Sequence, residues 1–168
     1  AVDYVTENGL MNGTNGKFNA NDNVSRAMLV TLLYRLEGSP AVSQSVSFTD
    51  VASGSWYDSA VRWAVSAGIV KGVTAASFAP NASITREQLA AMLYRYAAYK
   101  GYDVASAASL TGYTDASAIS AYAANAIAWA CSENLLTGRT ASTIAPQGTA
   151  SRAEAAVILM RFAQSISE

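Results

Sequence analysis

Ser83-Ile84-Thr85-Arg86-Glu87-Gln88-Leu89-Ala90-Ala91-Met92-Leu93-Tyr94-Arg95-Tyr96 is the stretch whose reading decides the fold. Thr85 is a helix N-cap, and Gln88, three residues on, closes a capping box. Leu89, Met92, Leu93 and Tyr96 then fall at the i, i+3, i+4, i+7 spacing of one buried helical stripe. The same design recurs at Ser25-Arg26 with Leu29, Leu32, Leu33 and Leu36. It recurs again at Ser151-Arg152 with Ala155, Ile158, Leu159 and Phe162, where Glu154 takes the capping-box position. Three helices therefore open alike, on a capping hydroxyl followed by arginine.

Counting back from each arginine exposes a second shared segment, so the chain is a set of internal repeats. The middle copy carries Phe48-Thr49-Asp50-Val51, Ser55-Trp56-Tyr57-Asp58 and then Ala60 to Gly72. The last has Tyr113-Thr114-Asp115 and Ala126 to Gly138; the first retains only the end, Val2-Asp3-Tyr4 and Asn8 to Gly13. Its opening half would lie before Ala1, so that copy is truncated. The segment predicts a short helix with Ser55 as N-cap. Gly9, Gly68 and Asn134 end it in the left-handed conformation, and Leu10, Ile69 and Leu135 supply the apolar contact of a Schellman ending. A loop of about a dozen residues follows, pinned by Phe18, Phe78 or Ile144, and loops of that length are often functional. Small polar linkers run over Gly38–Ser47 and Ala98–Gly112. The expected fold is all-α: helix-loop-helix repeats at 1–40, 46–100 and 110–168 packed around a shared axis as a pseudo-threefold bundle, because none could bury its stripe alone.

Composition narrows the function. Hydrophobic residues make up 51% and charged ones 14% of the 168, the balance of a globular chain. A net charge of −1 argues against nucleic acid or an anionic membrane as partner. No apolar run approaches the roughly 18 residues of a membrane span, and the opening at Ala1-Val2-Asp3-Tyr4 reads as that of a mature fragment. One cysteine, Cys131, forms no internal disulfide and reads as a packing residue; it fits a reducing compartment or a cysteine-poor bacterial surface equally. Zero histidines remove the usual general base and the commonest metal ligand. Acidic residues are scattered, with no calcium loop and no specified carboxylate pair. The expectation is no enzyme, no metal and no cofactor.

Six of the eight arginines sit at repeat-equivalent positions. Arg35, Arg95 and Arg161, toward helix C-termini, suit the dipole and read as solvated or salt-bridged. Nine residues separate each from the first set, half a turn out of phase, so the two sets cannot face one ligand from the same helix. Arg26, Arg86 and Arg152 occupy first turns, where a cation opposes the dipole by roughly 0.3–1 kcal/mol. Two readings stand evenly: an anion site made of free helix N–H groups and a guanidinium, or an internal ion pair with Asp50 or Asp115. Trp63 and Trp129 read as core, whereas Trp56, near a helix start, reads as partly exposed.

Together Phe48-Thr-Asp50-Val, Trp56-Tyr, Ala60-Val-Arg-Trp, Gly68-Ile-Val-Lys-Gly72, Phe78-Ala-Pro80-Asn and Ile84-Thr-Arg86-Glu-Gln resemble an S-layer homology repeat. The resemblance covers essentially the whole chain. The family's Thr-Arg-Ala-Glu signature is nearest at Ser151–Glu154 and relaxed to Thr85–Gln88 and Ser25–Met28; Tyr122 stands opposite Trp56, and Ala116 opposite Val51. It implies a three-prong prism with grooves between repeats, exported to a bacterial cell surface. There it would anchor a larger protein to a secondary cell-wall polysaccharide ending in a pyruvylated amino sugar. By that resemblance Arg86 and Arg152, then Arg26, contact the ligand, with Asp50, Asp115, Trp56, Gly13, Gly72 and Gly138 completing the grooves. The rival expectation is a structural or protein-interaction module that packs on a neighbouring domain or self-assembles.

Overall fold

In the computed structural model, which describes residues 1–13, 15–105 and 107–166, six α-helices and two single 3-10 turns are present and no strand is formed among the described residues. The helices are α1 (Val2–Glu7), α2 (Arg26–Leu36), α3 (Asp58–Ser66), α4 (Arg86–Tyr99), α5 (Ala124–Ser132) and α6 (Arg152–Ser165); the 3-10 turns span Ala116–Ala118 and Ala121–Ala123. α2, α4 and α6 are the three long helices of the repeats.

Each long helix starts as its sequence dictates. Ser25, Thr85 and Ser151 are extended N-caps whose hydroxyls accept the N–H of Met28, Gln88 and Glu154, and in all three the capping box closes. The short helices end as expected too. Gly9, Gly68 and Asn134 have φ of 66°, 72° and 56°. Leu10, Ile69 and Leu135 donate back to Val5 O, Ala64 O and Ala130 O while the N–H groups of Gly9, Gly68 and Asn134 donate to Thr6 O, Val65 O and Cys131 O, the paired bonds of a Schellman ending. Their starts differ from expectation. α3 begins at Asp58 behind Tyr57, and the Ser55 hydroxyl caps nothing. The Asp58 carboxylate instead accepts the Gly54 N–H at 2.9 Å and pairs with Arg62 one turn on, so the acid organises the turn that the serine was expected to close. α4 also runs to Tyr99, two residues into the expected linker.

The copies interlock cyclically. Each long helix packs on the short helix of the next copy: α2 on α3, α4 on α5, and α6 back on α1. At the centre, the Val24 N–H donates to Ala150 O at 2.9 Å, Ala150 to Ile84 O at 3.0 Å and Ile84 to Val24 O at 2.8 Å, a closed ring of three hydrogen bonds. All three residues are fully buried. The ring is flanked by short antiparallel bridges pairing Asn23 with Ser151, Ser25 with Ser83 and Thr85 with Thr149. Around it lies one continuous core of the predicted stripes, including Leu29, Leu33, Leu89, Leu93, Tyr96, Leu159 and Phe162, with Trp63 and Trp129 buried as read from sequence.

Candidate functional site: three clefts between repeats

The cyclic packing commits the helix starts. In α2 the first two N–H groups, of Arg26 and Ala27, donate to Ala82 O and Pro80 O; in α4 those of Arg86 and Glu87 donate to Gly148 O and Pro146 O; in α6 those of Arg152 and Ala153 donate to Asp22 O and Ala20 O. The third N–H goes to the N-cap hydroxyl. No free N–H group is therefore left in these first turns to make an anion site, which corrects the first of the two sequence readings.

The ion-pair alternative is also corrected. Arg26, Arg86 and Arg152 are buried, at 6%, 4% and 9% exposure, yet their guanidinium groups meet backbone carbonyls. Arg26 donates from Nε to Phe78 O at 2.9 Å and from Nη2 to Lys71 O at 3.0 Å. Arg86 does the same with Ile144 O and Thr137 O, and Arg152 with Phe18 O and Asn12 O. Each thus ties together the two ends of the next copy's loop, a planar fork bridging two acceptors that an ammonium could not match. Burial lowers the affinity of Arg26 and Arg86 for their protons, the ordinary effect of desolvation on a cation. The Arg26 and Arg152 guanidinium carbons lie 4.8 Å over the Phe78 and Phe18 rings. Where the third copy has Ile144, the remaining Nη1 of Arg86 binds Glu154 at 2.9 Å instead.

Asp50 and Asp115 have a different task. Asp50 accepts from the Ser77 hydroxyl at 2.6 Å and from the Phe78 and Ala79 N–H groups; Asp115 accepts from Ile144 and Ala145. Both close the loop onto the chain segment that precedes the short helix. The Ser77 hydroxyl, with the two N–H groups, holds the Asp50 carboxyl below its usual range, and the Ile144 and Ala145 N–H groups do so for Asp115. A depressed folded-state pKa stabilises above the unfolded value of about 3.9 and is lost as pH falls through the folded one. Thermal melts between pH 5 and pH 2 should therefore show the wild type falling toward Asp50→Asn, the gap between them closing at the acid end. Gly72 and Gly138 are required sterically: a Cβ there would strike Thr74 O or Thr140 O and the ring of Phe48 or Tyr113.

Three open clefts lie beside the first-turn arginines, and each draws on more than one copy. The first, about 220 Å³, is lined by Arg26, Lys71, Gly72, Gln88, Arg95 and Tyr122 among others. The second, about 180 Å³, has Arg152, Asn12, Met28, Arg35 and Trp56; the third, about 340 Å³, has Arg86, Gly138, Arg139, Glu154 and Arg161. The sequence argument that two arginines nine residues apart cannot share a ligand holds for one helix. The fold circumvents it by bringing a first-turn arginine of one copy beside the C-terminal arginine of the next. Those second arginines are not salt-bridged among the described residues; they donate to Leu10 O, Ile69 O and Asn134 O. Trp56 is 61% exposed and Tyr122 53%, each at a cleft edge, whereas Gly13 lines a separate hollow with Val2, Lys17 and Phe18. Asp50 and Asp115 line none of the three clefts.

Sequence reasoning missed Lys71, Gln88 and Arg139. The clefts are unequal because of them. Glu154 faces Arg86 and also Arg139, at 2.9 Å and 3.0 Å. Burial alone would raise its pKa, but the Ser151 N–H and the two guanidiniums hold it lowered, so it stays charged in that cleft. Its counterparts are Gln88 in the Arg26 cleft and Met28 in the Arg152 cleft. Among the described residues, the Arg26 cleft therefore presents three cations and no lining carboxylate.

Comparison with known proteins agrees with this repeat plan. The S-layer homology domain profile matches residues 1–27, 47–90 and 112–156, the first match truncated at its start. An amylopullulanase of Thermoanaerobacterium thermosulfurigenes is 35% identical over 150 residues, 87% of this chain and 8% of that protein. An endoglucanase of Bacillus sp. (strain KSM-635) is 34% identical over 84% of the chain and 15% of its own length. A surface-layer 125 kDa protein of Lysinibacillus sphaericus is 28% identical over 99% of the chain and 14% of its length. The chain thus spans only a small part of each of these relatives. Repeat order, matched residues and shared motifs lead to one conclusion: the chain belongs to the S-layer homology domain family.

Proposed function

We propose that this chain is a non-covalent anchor that holds a larger protein on a bacterial cell wall by binding an anionic secondary wall polysaccharide, ending in a pyruvylated amino sugar, in the clefts between repeats. The supporting observation is the pairing of arginines from different copies at each cleft. Because carbonyls and not carboxylates neutralise most of their donors, positive charge is left facing open space. A ketal carboxylate is the natural partner of such charge. The cyclic ring at Val24, Ile84 and Ala150 supports the three-prong prism in which such clefts would be disposed about one axis. The relatives named as an amylopullulanase, an endoglucanase and a surface-layer protein suit a module appended to different cargoes.

Among the clefts, that of Arg26, Lys71, Arg95 and Tyr122 is the strongest seat, since it sets three cations against no lining carboxylate among the described residues, where the Arg152 cleft has two cations. The Arg86 cleft is the weakest, being already occupied in part by Glu154. This reverses the order that the family signature suggested. Calorimetric titration of purified pyruvylated wall polymer tests the reading. Binding is expected, weakening with salt and disappearing with depyruvylated polymer. Lys71→Ala with Arg95→Ala should lower affinity roughly 10- to 100-fold while the chain stays folded, because the two bury few bonds of their own. No heat with intact polymer would refute the anchoring function.

A further inference from the structure

Glu87 is a buried carboxylate, 3% exposed, that forms no salt bridge among the described residues. That is a costly arrangement unless its oxygens are fully used. They are. Oε1 accepts from the Ser120 hydroxyl at 2.8 Å, from Gln147 Nε2 at 2.9 Å and from the Tyr122 hydroxyl at 3.1 Å; Oε2 accepts from the Ser120 N–H at 3.0 Å. All four donors belong to the third copy, while Glu87 stands at the second position of α4. The corresponding positions of α2 and α6 are Ala27 and Ala153, and both helices start with the same capping box. The helix does not require an acid there. What the acid does is grip the turns at Ala116–Ala118 and Ala121–Ala123, from which the Tyr122 ring projects to the edge of the Arg26 cleft.

We propose that Glu87 is a positioning residue for glycan binding: it pins the Tyr122 hydroxyl and Ser120 so that the phenol ring stands fixed as one wall of the Arg26–Lys71–Arg95 cleft before any sugar arrives. This rests on the anchoring function proposed above. An aromatic ring offers the C–H face of a pyranose an apolar contact, and fixing the ring beforehand removes the ordering cost from binding. The other two clefts lack this device. Trp56, at the edge of the Arg152 cleft, makes a ring-edge contact with Tyr57 at 5.0 Å, and no aromatic side chain lines the Arg86 cleft. Burial of the Tyr122 hydroxyl and then the negative charge of Glu87 push the pKa of this phenol up to about 12, which extends its role as a donor well above the neutral range.

Two measurements on the intact chain test the proposal. In chain labelled with 13C-tyrosine, the Tyr122 ring signals are assigned by their loss in Tyr122→Phe. They should move to the position of a free surface tyrosine in Glu87→Ala and stay in place in Glu87→Gln, which keeps an acceptor oxygen. An unchanged ring in Glu87→Ala overturns the proposal whatever the chain binds. In calorimetry with the methyl glycoside of a pyruvate-ketal N-acetylated amino sugar, Glu87→Ala and Tyr122→Phe should each weaken binding about tenfold. The double variant should be no weaker than either, because both remove one link. Additive losses, or full affinity in Glu87→Ala, also overturn it. Absence of heat in the wild type counts against the anchoring function alone, leaving the ring signals to decide the role of Glu87.

Discussion

Arg86→Ala is expected to lower the unfolding free energy by about 3–5 kcal/mol, the cost of breaking a buried charged network and not that of losing a surface cation. Its guanidinium is committed three ways: to Ile144 O at 2.9 Å, to Thr137 O and to Glu154. Removing it leaves two loop carbonyls without their donor, and Glu154 keeps only Arg139 as a counter-ion. For a chain of this size each kilocalorie shifts the melting midpoint by about 2–4 °C, so a fall on the order of 10 °C is expected. Arg86→Lys should recover only part of this, since a single ammonium cannot bridge both carbonyls. Arg95→Ala, which gives up one long contact to Ile69 O at 3.4 Å, should cost about 1 kcal/mol or less. Denaturant unfolding of the three variants checks the order. Equal and small losses for Arg86 and Arg95 would show that the first-turn arginine is not the loop staple described above. The contrast also governs how binding data are read: loss of glycan affinity in Arg86→Ala alone would not separate ligand contact from a damaged cleft wall.

The starts of the long helices were legible because their determinants are local. A hydroxyl, an acceptor three residues on and an apolar stripe specify α2, α4 and α6 at their observed starts. The left-handed endings at Gly9, Gly68 and Asn134 were legible for the same reason. The start of α3 was not, because its N-cap is Tyr57, which supplies no capping side chain, and the Asp58 carboxylate is spent on the Gly54 N–H in the turn before the helix. The partners of the motif arginines lay outside local reasoning altogether. Sequence can show a guanidinium at a helix start, but its acceptors are carbonyls of another copy, 45 to 52 residues away for Arg26 and 134 to 140 for Arg152. Backbone carbonyls carry no side-chain signature, so the candidates that sequence offered were the visible acids, Asp50 and Asp115. Those acids satisfy N–H groups in their own copy. The cleft composition was partly legible in hindsight. Position 88 is glutamine, its counterparts 154 and 28 are glutamate and methionine, and that difference alone forecasts unequal electrostatics once the position is known to face a cleft.

Ile84→Pro is expected to be the most damaging single change at the centre of the molecule, costing about 2–5 kcal/mol. Proline removes the N–H that donates to Val24 O at 2.8 Å, leaving a carbonyl orphaned in a fully buried position, worth about 1–3 kcal/mol. The smaller, differently shaped ring gives up part of the buried isoleucine contact as well, about 1–2 kcal/mol more. Ile84→Val keeps the N–H and should cost only about 0.5–1.5 kcal/mol, so the pair separates hydrogen bond from packing. The topology determines how far the damage spreads. In an open array of repeats each unit contacts only its neighbours, and a broken link releases one end. Here the third link returns to the first through Val24 and Ala150, and α6 returns to α1, so every copy is held from both sides. Unfolding of the wild type should accordingly be a single transition, with Trp63 in the second copy and Trp129 in the third reporting the same midpoint in single-tryptophan variants. Two separated midpoints would mean that the copies are joined in series and that the ring adds no cooperativity. A shared midpoint that moves down as one in Ile84→Pro identifies the ring as the element that makes three marginal helix pairs a single folding unit, and hence as what keeps the walls of each cleft, contributed by different copies, in register.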